Sequence, residues 1–181
     1  MPPTTPPDRV DEIQAQWARE LPDLDTSPTG LLGRVYRLAR LVAPTIEATM
    51  AGFGLDRGEF DVLATLRRAG APYRMTPTAL YQHLLIASAS LTHRLKRLEA
   101  AGLVQRVPSA EDGRSLHVQL SARGRSLIER AIRADMRAER RLMDAIDAKT
   151  QADLVKLLRR ATQQIESALA ADAARDASAT D

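Results

Sequence analysis

Between Ala87 and Gly102, Leu91, Leu95 and Leu98 recur at i, i+4 and i+7, which places them on one stripe of a helix. The side turned away from that stripe carries Ala89, His93, Lys96 and Arg97, with Ser90 beside them. Ser88 is placed to cap the first turn, and Gly102 to end the helix in a left-handed conformation. After Gly102 the periodicity changes from helical to extended. Leu103–Val107 reads as one strand, and Leu116–Leu120 alternates strictly, with Leu116, Val118 and Leu120 on one face. The Pro108–Ser115 loop between them contains an Asp-Gly turn signal. A one-sided helix followed at once by a hairpin leaves few folds open.

The elements before the stripe narrow the choice further. Arg57–Ala69 reads as a helix capped by Asp56, with Phe60, Leu63, Ala64 and Leu66 inward. Thr76 and Pro77 open a short helix as N-cap and first residue. Two short helices joined tightly, the second with a basic outer face, predict a helix-turn-helix, with the hairpin as its wing. Small residues at the start of the second helix let the backbone approach a surface, and the major groove of DNA fits it. A merely solvated basic face is the alternative for this helix taken alone.

Met1–Pro7 holds four prolines and reads as an extended lead-in. Asp8 caps a short amphipathic helix to about Leu21, with Val10, Ile13 and Trp17 on one side. A long helix from about Thr29 to Ala51 follows, which Pro44 should bend or interrupt. Its apolar face is broader than one small domain needs, which points to a partner subunit. Ser121 caps a long charged helix to about Ile146, and a last helix spans about Lys149 to Ala170. The predicted organisation is a tail and extra helix at 1–28, scaffold helices at 29–55 and 121–171, a winged helix at 56–120 and a disordered tail at 172–181. The fold class is mainly α with a small β-hairpin.

Composition limits the function. Cysteine is absent, so disulfides and zinc–thiolate sites are excluded. His83, His93 and His117 are scattered over three elements without paired ligand spacing, so no metal and no cofactor is expected. There is no nucleophile elbow and no phosphate-cradling glycine loop, so an enzyme is not expected. No apolar run is long enough to span a bilayer and no signal-peptide pattern is present, so a cytoplasmic protein without membrane contact is expected. The net charge is +3, but the chain before Glu166 carries 25 basic and 19 acidic residues, modest support for a polyanionic partner.

Helices, helix-turn-helix, wing and two long helices in this order resemble the MarR family of winged-helix transcriptional regulators. The run Ser90–Arg106 is similar to the family's recognition helix and first wing strand, Asp112-Gly-Arg114 to its Asp-x-Arg wing tip, and Leu120–Gly124 to the step into the next helix. The resemblance implies a homodimer held by its N- and C-terminal helices on an inverted-repeat operator in double-stranded DNA. Ser88, Ser90, His93, Lys96, Arg97, Asp112 and Arg114 would then form the DNA-binding set. A urate-responsive branch of the family has a Trp in an added N-terminal helix, an Asp in the second core helix and two arginines. Those roles would fall on Trp17, Asp61, Arg94 and Arg106. Two guanidinium forks and an indole N–H suit an anionic purine-like ligand, and a flat heterocycle stacks on Trp. The open alternatives are an Asp61–arginine structural ion pair with Trp17 as core packing, and a constitutive DNA binder without a small-molecule effector.

Overall fold

Capping chemistry sets where the helices start. The computed structural model describes residues 6–84, 91–108 and 116–178. Helix α1 (Arg9–Glu20) opens on a capping box: Asp8 accepts from the Val10 and Asp11 N–H groups, and Asp11 accepts from the Asp8 N–H. Helix α2 (Ser27–Ala51) lies against it, tied by Arg34, whose guanidinium reaches Asp8 at 3.0 Å and Asp11 at 2.7 Å. The hydrogen bond from the Asp8 backbone, then Arg34, hold the Asp11 carboxyl below its ordinary value. Of the two outcomes expected at Pro44, interruption does not occur, and α2 continues through it. A proline removes one donor from the ladder, and the turns on both sides of it carry the helix through.

Helix α3 (Arg57–Arg68) starts on a second capping box, between Asp56 and Glu59. A two-residue strand β1 (Arg74–Met75) precedes helix α4 (Pro77–His83), where the Thr76 hydroxyl accepts from the Ala79 N–H as predicted. Helix α5 (Leu91–Ala100) is followed by β2 (Val104–Pro108) and β3 (Leu116–Leu120). Gly102 takes the left-handed conformation (φ 67°) that ends α5. The sheet order is β1-β3-β2, all antiparallel, with Val104 opposite Leu120 and Pro108 opposite Leu116. The predicted hairpin is present. The extra strand β1 is too short to show an alternation, and it exists because β3 offers it a free edge: Leu120 N–H donates to Tyr73 O, and Gln119 to Pro72 O. Leu116 is exposed, unlike Val118 and Leu120, because it sits at the end of the hairpin away from the core.

The core gathers Val62, Leu63 and Leu66 of α3, Leu80 of α4, Leu95 and Leu98 of α5, Val104 and Val118 of the wing, and Ile128 and Ala131 of helix α6 (Ala122–Met143). Phe60 and Ala64 are only half-buried, while Val62 and Thr65, absent from the predicted inward set, are buried. Two compact units divide the chain, Met1–Ala138 and Glu139–Asp181. In the second, Asp147 accepts from Thr150 at the start of helix α7 (Ala148–Ser178), and Gln151 donates to Met143 O and Ile146 O. Helix α7 runs on through Ser178 where a disordered tail was expected from 172. Alanine is the strongest helix former, and the Arg175–Asp172 pair adds local support. No residue of α7 is buried, and Leu157, Ile165 and Leu169 are exposed.

The entry to α6 depends on a close approach. A Cβ on Gly124 would stand 1.9 Å from the Leu103 carbonyl oxygen. Ser121 fixes this corner: its hydroxyl lies 2.7 Å from Gly102 O and accepts from Gly124 N–H at 2.9 Å. Gly124→Ala must therefore separate α6 from the Leu103 backbone that leads into β2, and urea unfolding should show a loss of about 2–3 kcal/mol. A loss below about 0.5 kcal/mol would contradict the contact.

Asp135 of α6 is buried, and its Oδ1 has no hydrogen-bond partner among the described residues. Burial pushes its carboxyl above the ordinary value of 3.8, and the Arg57 guanidinium offsets part of that rise. The folded state thus binds this proton more tightly than the unfolded chain does. The associated stability is fully present below the unfolded value and is lost as pH rises through the folded one. Urea melts across this range should show Asp135→Asn flattening that decline, with the variant more stable than wild type at pH 7. A wild type as stable as the variant at pH 7 would refute it.

Candidate functional site

Helix α4 is anchored by Leu80, and the Arg68 guanidinium of α3 donates to His83 O at its end. Helix α5 follows with Leu95 and Leu98 buried and Leu91 half-buried. The leucine stripe therefore faces inward as predicted, and the opposite side is turned to solvent. His93 and Lys96 are exposed there and form no ion pair among the described residues. Ser88, Ser90, Asp112 and Arg114 lie outside the described residues.

Arg97 differs from its neighbours. Its guanidinium is 3.0 Å from Glu59 Oε1 and 3.3 Å from Asp56 Oδ2, while half of its side chain stays exposed. Arg94, one turn earlier, has Nε 3.6 Å from Asp56 Oδ1. Its guanidinium lies over Gly58, where an added Cβ would come within 2.1 Å of Nε. The two arginines of α5 thus rest on the first turn of α3. The family resemblance pointed to Asp61, and the sequence reading did not name Asp56 and Glu59 as partners of these arginines. The usable signal was the Asp-x-x-Glu capping box opposite two arginines at i and i+3.

An open groove of about 660 Å³ runs beside this contact, lined by Glu47, Gly54, Asp56, Arg57, Arg94 and Arg97 among others. It offers three guanidinium groups and two carboxylates, a donor set able to hold a small anion beside a polar ring. Of the four residues expected to bind a ligand, Arg94 alone lines it. Asp61 is buried in α3, and Arg106 on β2 is held by Glu99 of α5 at 2.8 Å. Trp17 on α1 is 46% exposed, so it is not core packing in this chain. His83 Nδ1 meets Ala79 O, His93 is at the surface and His117 is in β3. Among the described residues no group of three His, Asp or Glu side chains could hold a metal ion. None of their helices is long and apolar enough to cross a membrane.

Comparison with known proteins gives the same architecture and a lineage. Residues 53–115 match the model described as MarR family. The HTH-type transcriptional regulator PecS of Dickeya dadantii is 36% identical over 156 residues, covering 86% of this chain and 94% of that protein. Among solved structures, AbsC, a MarR family transcriptional regulator from Streptomyces coelicolor, superposes with a TM-score of 0.68 at 22% identity, over 80% of this chain and 98% of that one. The Mycobacterium tuberculosis MarR family protein Rv2887, solved in complex with p-aminosalicylic acid, does so with a TM-score of 0.58 at 27% identity, over 73% and 98%. These relatives are regulators rather than enzymes. A buried leucine stripe under an exposed cationic helix face, the wing beside it and a relative matched over nearly its whole length lead to one conclusion: the chain belongs to the MarR family of winged-helix transcriptional regulators.

Proposed function

We propose that this regulator is a homodimeric, ligand-responsive repressor that binds a pseudo-palindromic operator and is released by a small anion, urate or a related purine. One observation carries the DNA reading. Helix α5 buries Leu95 and Leu98 and leaves His93 and Lys96 exposed on the opposite side. Ser88 and Ser90 precede that face in sequence, Arg97 borders it, and Asp112 and Arg114 belong to the wing loop. In a two-fold dimer the twin helices would enter successive major grooves, about 34–36 Å apart. Exposed Leu31, Leu38 and Leu41 on α2, and Leu157, Ile165 and Leu169 on α7, support a dimer built from the N- and C-terminal helices.

Lys96→Ala should weaken binding to operator and random duplex alike and reduce the salt slope of log affinity by about 1, as expected for one lost phosphate contact. Arg114→Ala should lower operator affinity as well. Unchanged affinity and slope for both variants in fluorescence-anisotropy titrations would remove the proposed surface.

The ligand reading rests on Arg94 in its groove, on the residue pattern Trp17, Asp61, Arg94 and Arg106, and on the small aromatic acid in the relative Rv2887. Calorimetry should show urate binding to wild type and at least about tenfold weaker binding to Arg94→Ala and Arg106→Ala. Operator DNA and urate must weaken each other's binding by the same factor. Wild type that binds neither urate nor related purines, with operator affinity indifferent to them, would favour the constitutive DNA binder instead.

A further inference from the structure

We propose that Asp56 and Glu59 are positioning residues for operator recognition: with Gly58 they form a clamp on Arg94 and Arg97 that sets the rotation of helix α5 about its own axis. The proposal builds on the DNA-binding reading and gives Arg97 a role different from reading bases.

At about 100° per residue, Arg94 lies about 60° from the leucine stripe and Arg97 about 60° further round on the same side. His93 lies opposite the stripe, with Lys96 next to it on the side away from the two arginines. Leucine burial holds the helix at its depth, but apolar contact is non-directional and tolerates small rolls. Ion pairs on one flank remove that freedom. Glu59 makes this flank directional. It is 3% exposed, its Oε2 accepts the Asp56 N–H at 3.0 Å, and its Oε1 faces Arg97 Nε at 3.0 Å. If Arg97 left for a DNA phosphate, a buried carboxylate would lose its counter-ion, which is strongly unfavourable. Asp56 bridges both arginines, at 3.6 Å and 3.3 Å. Gly58 completes the seat, because any side chain there would displace the Arg94 guanidinium. The clamp therefore draws one flank of α5 onto the first turn of α3 and turns His93 and Lys96 outward.

The test uses a duplex enriched from a random pool by the wild-type full chain, and a scrambled duplex as control. The variants are Glu59→Gln, Asp56→Ser, Gly58→Ala and Arg97→Gln. Asp56→Ser keeps a good N-cap and removes only the charge, and Gly58→Ala obstructs only a flexible side-chain end, so both preserve the fold. Circular dichroism and thermal melting check that. Each variant should lose roughly tenfold or more in affinity for the enriched duplex, while Glu59→Gln, Asp56→Ser and Gly58→Ala bind the scrambled one at least as well as wild type. Arg97→Gln should leave the salt slope on the enriched duplex unchanged.

The direction is diagnostic. Removing an acidic charge from a DNA-binding surface should, by long-range electrostatics alone, tighten binding to every duplex. Folded Asp56→Ser and Gly58→Ala proteins that bind the enriched duplex as tightly as wild type would overturn the clamp. So would a salt slope lowered by about 1 in Arg97→Gln, which would make Arg97 a phosphate contact. A wild type that enriches no duplex would overturn the DNA reading, and the clamp with it.

Discussion

Burial of the α5 leucine stripe is the constraint on which the rest of the DNA-binding lobe depends. Leu95 and Leu98 enter a core shared by α3, α4, the wing and α6. Each fully buried leucine is worth about 1.5–3 kcal/mol relative to exposure, far more than a surface ion pair. Once that stripe is inside, the opposite side of the helix has to face solvent. The cationic face is thus a consequence of packing as well as of the residues placed on it. Gly124 serves the same packing from the other direction, by bringing α6 against the Leu103 backbone just before β2.

Several arginines of this protein tie one element to another through ion pairs. Arg34 is engaged by Asp8 and Asp11, Arg67 by Glu129, Arg94 and Arg97 by Asp56 and Glu59, and Arg106 by Glu99. Most of these pairs are partly exposed and contribute about 0–1 kcal/mol each to stability. Their larger effect is geometric, since each ties two elements at a defined angle. Glu59 stands apart because its carboxylate is buried and its pairing cannot be exchanged freely for water. A modest net charge is compatible with DNA recognition when a helix face presents cations such as Lys96 to solvent.

Local signals were read well where the physics is local. The caps at Asp8, Asp56, Thr76 and Ser121, the ending of α5 at Gly102 and the register-setting alternation of β3 all involve residues within a few positions of each other. Elements whose existence depends on a distant edge were not. Strand β1 is stabilised by β3, more than forty residues away, and nothing in Arg74–Met75 announces it. The alanine-rich end of α7 was misjudged because its composition resembles a frayed tail, although its propensity is strongly helical.

The candidate site divides along the same line. Residue spacing by itself determined that Leu91, Leu95 and Leu98 share a face, that His93 and Lys96 lie opposite them, and that a hairpin follows. These are properties of helix and strand periods, which the chain carries wherever it goes. Which carboxylates meet Arg94 and Arg97 was decided only by the packing of α5 across the start of α3. A linear reading gives Asp56 only as a helix cap, and the crossing of the two helices brings it to both arginines. That crossing is set by core volume and by Gly58, a residue whose importance lies in the side chain it lacks.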